Sequence, residues 1–133
     1  NGLLNEGVIV GQTWDGPPIA LKNEGEPVMY RAPIEGAMAW VDGMAMPTGA
    51  TNIDQAYAFI DACYNPEWAG EAIKTHGYNS PVLGADAFGG EVYAKNFADA
   101  YPGEALANLN AWPAEAPWYS EMRTEYANTF LSA

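Results

Sequence analysis

Trp14-Asp15 and Trp40-Val41-Asp42 each set an indole beside a carboxylate. The pairing suits an amine. A carboxylate accepts a charge-assisted hydrogen bond from an ammonium, and a tryptophan face adds a cation–π attraction of about 0.5–2 kcal/mol. In an extended strand Trp40 and Asp42 project from one face, with Val41 turned the other way into packing. Spacing alone leaves a second reading open at both places, because an isolated tryptophan more often fills a core than grips a ligand.

Other chemistries are poorly provided for. His76 is the sole histidine and Cys63 the sole cysteine, which excludes a structural zinc site. A serine nucleophile would need His76, yet Ser80, Ser120 and Ser132 are the only serines, and none sits in a nucleophile-elbow motif. Gly89-Gly90 lacks the Gly-Lys-Ser/Thr context of a phosphate loop. Acids abound, but no spacing singles out a carboxylate pair for glycoside chemistry. The expectation is a binder, with no catalytic residue, no metal and no cofactor. His76, just before Gly77, is expected to interact favourably with a helix C-terminus. Cys63 is expected to be a buried structural thiol.

The formal net charge is -12, from 17 acids against 5 bases. Such a surface repels nucleic acid and anionic membranes and is compatible with cationic small molecules. With 133 residues, 49% of them hydrophobic, the chain is one domain's length and can bury a core. Five Trp and eight Tyr are a heavy aromatic load, available to a core or to a pocket wall. No apolar run approaches the ~20 residues that span a bilayer. The opening Asn-Gly-Leu-Leu is neither an initiator Met nor a signal segment, so a mature form or a fragment is expected.

The elements that must position these residues follow from periodicity and punctuation. Val8-Ile9-Val10 reads as a buried strand. Asp15 or Thr13 caps a helix that has Pro17 and Pro18 in its first turn and runs to Gly25. Val28 to Arg31 reads as a second strand, and Ala37 to Met46 as a third extended stretch closed by Pro47-Thr48-Gly49. A helix starts near Asn52 with Ala56, Phe59, Ile60 and Cys63 as its apolar stripe. Asn65-Pro66 starts another that stops at Gly77. Residues 82–100 read as a loop plus a short helix, and 104–117 as mostly irregular. Pro117 begins a final helix to about Leu131, with Trp118, Met122, Tyr126 and Phe130 recurring every four residues. The order is mixed α/β, and three strands are few for a complete sheet domain.

Gly11-Gln-Thr-Trp-Asp-Gly16, Glu35-Gly-Ala-Met-Ala-Trp-Val-Asp-Gly-Met-Ala-Met-Pro47, Asn52-Ile-Asp-Gln-Ala-Tyr-Ala-Phe-Ile60, Asn65-Pro-Glu-Trp-Ala69, Thr75-His-Gly-Tyr-Asn-Ser-Pro81 and Trp112-Pro-Ala-Glu-Ala-Pro-Trp-Tyr119 follow one another in a familiar order. Together they resemble the C-terminal portion of the spermidine/putrescine-type periplasmic solute-binding proteins of ABC importers. The resemblance implies part of a type II, two-lobed periplasmic-binding-protein fold. Residues 1–40 would belong to the second lobe, 41–80 to the hinge crossing and first lobe, and 81–133 to the return into the second lobe. It implies an extracytoplasmic, periplasmic or membrane-tethered protein that hands a polyamine to a membrane permease. It also implies a missing N-terminal part, or another copy of the chain, to cover the apolar faces left open. Position by position, Trp14 matches a cleft tryptophan, Trp40 and Asp42 match the Trp-x-Asp whose carboxylate contacts an amine, and Tyr78 matches the ring of a Gly-Tyr loop. Asp15 stands where some members carry Asn. Ala111-Trp112-Pro113-Ala114 replaces a stretch that supplies a polar contact in some members, which leaves Trp112 as a candidate contact. The alternatives are a solute-binding protein for an amino acid, an opine or a chelate, and a truncated fragment with no binding activity of its own.

Overall fold

The computed structural model describes residues 2–132. In chain order the elements are α1 (Gly2–Asn5), α2 (Gly16–Asn23), β1 (Met38–Ala39), α3 (Ile53–Cys63), α4 (Pro66–His76), α5 (Asp86–Ala100), β2 (Asn110–Ala111) and α6 (Pro117–Leu131).

α4 shows most plainly how sequence fixes local structure. The Asn65 side-chain oxygen accepts from the N–H of Glu67 at 3.0 Å and of Trp68 at 3.2 Å, so two of the helix's orphan donors are satisfied. Pro66 follows in the first turn, and Gly77 ends the helix in the left-handed conformation, at φ 77°. A Cβ on Gly77 would also collide with the backbone of Gly16 and Ala20 in α2. Gly16 in turn lies so close to the Tyr78 ring that it has no room for a side chain. These two glycines let the start of α2 lie directly on the turn that carries Tyr78.

α2, α4 and α5 pack on one another. Ile19 from α2, Ile73 from α4, and Tyr93 and Ala100 from α5 form the core, and Tyr30, Phe97 and Tyr101 pack against it. Lys22 reaches Asp99 at 3.1 Å, and the amide of Asn96 donates to Asn23 at 2.7 Å, both between α2 and α5. The N–H of Ala32 donates to the carbonyl of Ala100 at 2.8 Å, which ties the segment before β1 to the end of α5. α5 is longer than the short helix expected over 82–100, and non-helical backbone at Gly90 breaks it.

Several expectations are corrected. Val8-Ile9-Val10 and Val28 to Arg31 are not strands. A strand needs a partner ladder, and Ile9, 96% exposed, has no neighbour to pair with. Of the third stretch only Met38–Ala39 is strand. It pairs in parallel with Asn110–Ala111, inside the segment expected to be irregular. α3 and α6 form where expected, yet their stripes are not buried: Phe59, Trp118, Met122, Tyr126 and Phe130 are all exposed. Asn52 occupies the N-cap position of α3 without a side-chain cap bond. Cys63 is half-buried, not a core thiol. The architecture is helical with little sheet.

Candidate functional site

Trp40 and Asp42 follow directly after β1. The indole N–H of Trp40 points at Asp42 Oδ2 across 3.4 Å, so the two side chains share a face as the alternation requires. Val41 is not packed as expected: it is 84% exposed. Trp14 meets Trp40 edge-on, with ring centroids 4.6 Å apart, and Trp112 lies on the far side of Trp14 at 6.5 Å. Tyr78 continues the row beyond Trp40 at 6.2 Å. Edge-to-face contacts of this kind hold aromatic rings in a fixed relative orientation.

The row Trp112–Trp14–Trp40–Tyr78 runs along two adjoining cavities, Trp40 and Tyr78 lining the smaller and Trp112, Trp14 and Trp40 the larger. One, of about 320 Å³, is lined by Asp15, Trp40, Asp42, Tyr78, Asn79 and Tyr101, among others. The other, of about 890 Å³, is bordered by Trp14, Trp40, Trp112 and the Val8–Val10 segment. Asp15, Met38, Trp40 and Tyr101 border both. Neither lysine nor arginine lines the smaller cavity. All six residues singled out from the sequence (Trp14, Asp15, Trp40, Asp42, Tyr78 and Trp112) therefore come together at one place, although they lie up to 98 positions apart in the chain.

Asp15 takes an unexpected orientation. It stands at the N-cap of α2 but makes no side-chain cap bond. An N-cap carboxylate accepts from the N–H of the second or third helical residue. Here those residues are Pro17 and Pro18, which have no N–H. The carboxylate instead accepts from the Tyr101 hydroxyl at 2.7 Å.

Tyr78 is placed by its own backbone. Its N–H donates to His76 Nδ1 at 3.0 Å, and the two rings lie 5.8 Å apart. Burial lowers the His76 pKa below its usual 6.5. The imidazole accepts the N–H that shapes the turn, and burial works against the cationic form that would answer the helix dipole. Burial raises the Tyr78 phenol above 10, and the negative charges of Asp15 and Asp42 raise it further. Two carboxylates thus act on one hydroxyl from within the same cavity.

Tyr101, Tyr30, Phe97 and Asn79 were missed from sequence. Tyr101 stacks obliquely on Phe97 at 4.9 Å and on Tyr30 at 5.9 Å, which carries the core's aromatic packing to the cavity floor. Asp15-Gly16-Pro17-Pro18 signals only that the Asp15 carboxylate lacks its usual cap donors; nothing in it points to Tyr101 as the replacement. Among the described residues no group of three or more His, Cys, Asp or Glu is placed to hold a metal ion. No helix among them is long and apolar enough to cross a membrane.

Comparison of the sequence with known proteins finds relatives named as polyamine-binding periplasmic proteins. The chain is 28% identical over 126 residues to the spermidine/putrescine-binding periplasmic protein of Salmonella typhimurium, covering 95% of this chain and 36% of that protein. The protein of the same name from Escherichia coli K12 is 27% identical over the same length. The putrescine-binding periplasmic protein PotF of Escherichia coli K12 is 36% identical over 73 residues, half of this chain and 20% of its own. The chain therefore spans about a third of the length of the first two relatives, at 36%. No family profile matches it, and no solved structure does. The resemblance read from the motifs holds across nearly the whole chain.

Proposed function

We propose that this chain is a ligand-gripping portion of an extracytoplasmic solute-binding protein that delivers a polyamine, or a similar cationic amine, to the permease of an ABC importer. The observation that carries the reading is the row of four rings with Asp15 and Asp42 beside it. Aromatic faces suit the methylenes and the cationic ends of a linear amine. Carboxylates supply charge-assisted acceptors for its ammonium groups. The smaller cavity has neither lysine nor arginine in its lining, which leaves the charges of Asp15 and Asp42 available to the ligand there; Arg31 borders only the larger one. Relatives named as spermidine/putrescine-binding and putrescine-binding proteins support the ligand class and the role of a binder.

In this reading the parent fold is the two-lobed, type II arrangement, and the site functions in the periplasm or tethered outside the membrane. The bare stripe of α6, the exposed Phe59 of α3 and the unpaired Val8–Val10 segment suit a piece covered by the rest of such a receptor or by another copy of the chain.

Calorimetric titration of the full chain with putrescine, spermidine, glucose and glutamate tests the function. Saturable heat with the amines alone is expected. Heat with the sugar or the amino acid, and none with either amine, contradicts the proposal.

A further inference from the structure

The Asp15 carboxylate has one donor among the described residues, the Tyr101 hydroxyl on Oδ2. That donor is held from two sides. Its ring lies on Phe97, which stacks on the core residue Tyr93 at 5.7 Å, and on Tyr30. Its backbone N–H donates to the Phe97 carbonyl at the end of α5. Burial, and then the bond to Asp15, push the Tyr101 phenol well above its usual 10, so it stays protonated through the neutral range. Asp15 has lost its ordinary helix partners to Pro17 and Pro18 and would otherwise be free to turn into solvent.

We propose that Tyr101 is the positioning residue of the site: its hydroxyl turns Asp15 toward the aromatic row, with Oδ1 left to accept from a ligand ammonium beside Asp42. The inference rests on the amine reading and adds a residue that no motif of the resemblance contains. Tyr101 acts through Asp15 and not by touching ligand. Its value to binding therefore depends on Asp15 being present.

The test is a double-mutant cycle with putrescine as the probe and calorimetry as the readout, using Tyr101→Phe, Asp15→Ala and the pair in the full chain. Tyr101→Phe keeps the ring on Phe97 and removes only the donor. It should weaken putrescine binding about two- to tenfold in the native background, the worth of one ordinary hydrogen bond. In the Asp15→Ala background it should have no further effect. Equal losses in both backgrounds would overturn the inference, because a merely structural tyrosine costs the same with or without its partner. If the native chain binds putrescine and Tyr101→Phe binds it unchanged, the inference fails and the amine reading stands. If the native chain binds neither putrescine nor spermidine, both fail.

Discussion

α2, α4 and α5 close on one another, whereas α6 carries an apolar stripe of similar spacing and leaves it bare. Ile73 on α4 is 0% exposed, and Phe130 on α6 is 82% exposed. Both sit at helical periodicity in segments with correctly placed starts, α4 after Asn65-Pro66 and α6 at Pro117. Periodicity states which face of a helix wants to be buried. It does not state whether the burying partner lies in the same stretch of chain. Ile73 meets Ile19 and Tyr93. α6 packs on no other helix or strand among the described residues, and its local ties are those of its first turns, where Ser120 and Arg123 bond Glu115.

The contrast gives the largest expected effect. Ile73→Ala removes a fully buried side chain and should lower stability by about 2–5 kcal/mol. Phe130→Ala should change the isolated chain by less than about 0.5 kcal/mol. Urea unfolding of both variants measures this. Similar losses would mean that α6 is packed in solution and that the contrast is wrong.

Next comes the site side of the comparison. Asp42 has no role in the α2–α4–α5 core, so Asp42→Asn should leave the unfolding midpoint unchanged. It should weaken amine binding by about 1.5–3 kcal/mol, the worth of a hydrogen bond to a charged group. Unchanged affinity by calorimetry would remove Asp42 from the site.

A smaller effect tests how the packed region supports the site. The His76 pKa is lowered in the folded chain, so the unfolded chain binds the proton more readily. Its contribution is present above the unfolded value of about 6.5 and is lost as pH falls from there through the lowered folded value. Protonation of Nδ1 also removes the acceptor for Tyr78 N–H. Stability measured between pH 8 and 5 should decline over the acid part of that window, and His76→Gln should flatten this part of the decline. An identical profile in the variant would assign the decline to other groups.

The smallest effect sharpens the Asp15 geometry. Pro17 is exposed, and Pro17→Ala restores an N–H that can compete with Tyr101 for the carboxylate. Amine affinity should fall by about 0.5 kcal/mol, near the low end for one hydrogen bond, with little change in stability. Tighter binding would show that Asp15 works better as a cap.

The same contrast explains what could be read in advance. The start and stop of α4 were legible because Asn65, Pro66 and Gly77 act within a turn of their own backbone. Grouping of the six site residues was legible only through the family resemblance, since Trp112 reaches the segment that carries Trp40 through the parallel pairing of Met38–Ala39 with Asn110–Ala111. Val8-Ile9-Val10 was misread because β-branched residues favour a strand only where a neighbour offers a ladder. Tyr101 was missed because its role depends on α5 returning past α2, a contact 86 residues apart in the sequence.

The most direct test of the account is a crystal structure of the full chain with putrescine. Ammonium nitrogens are expected about 3 Å from carboxylate oxygens of Asp42 and Asp15, with the methylenes lying along Trp14, Trp40 and Tyr78. A diamine bound elsewhere, with these rings and carboxylates unoccupied, would contradict it.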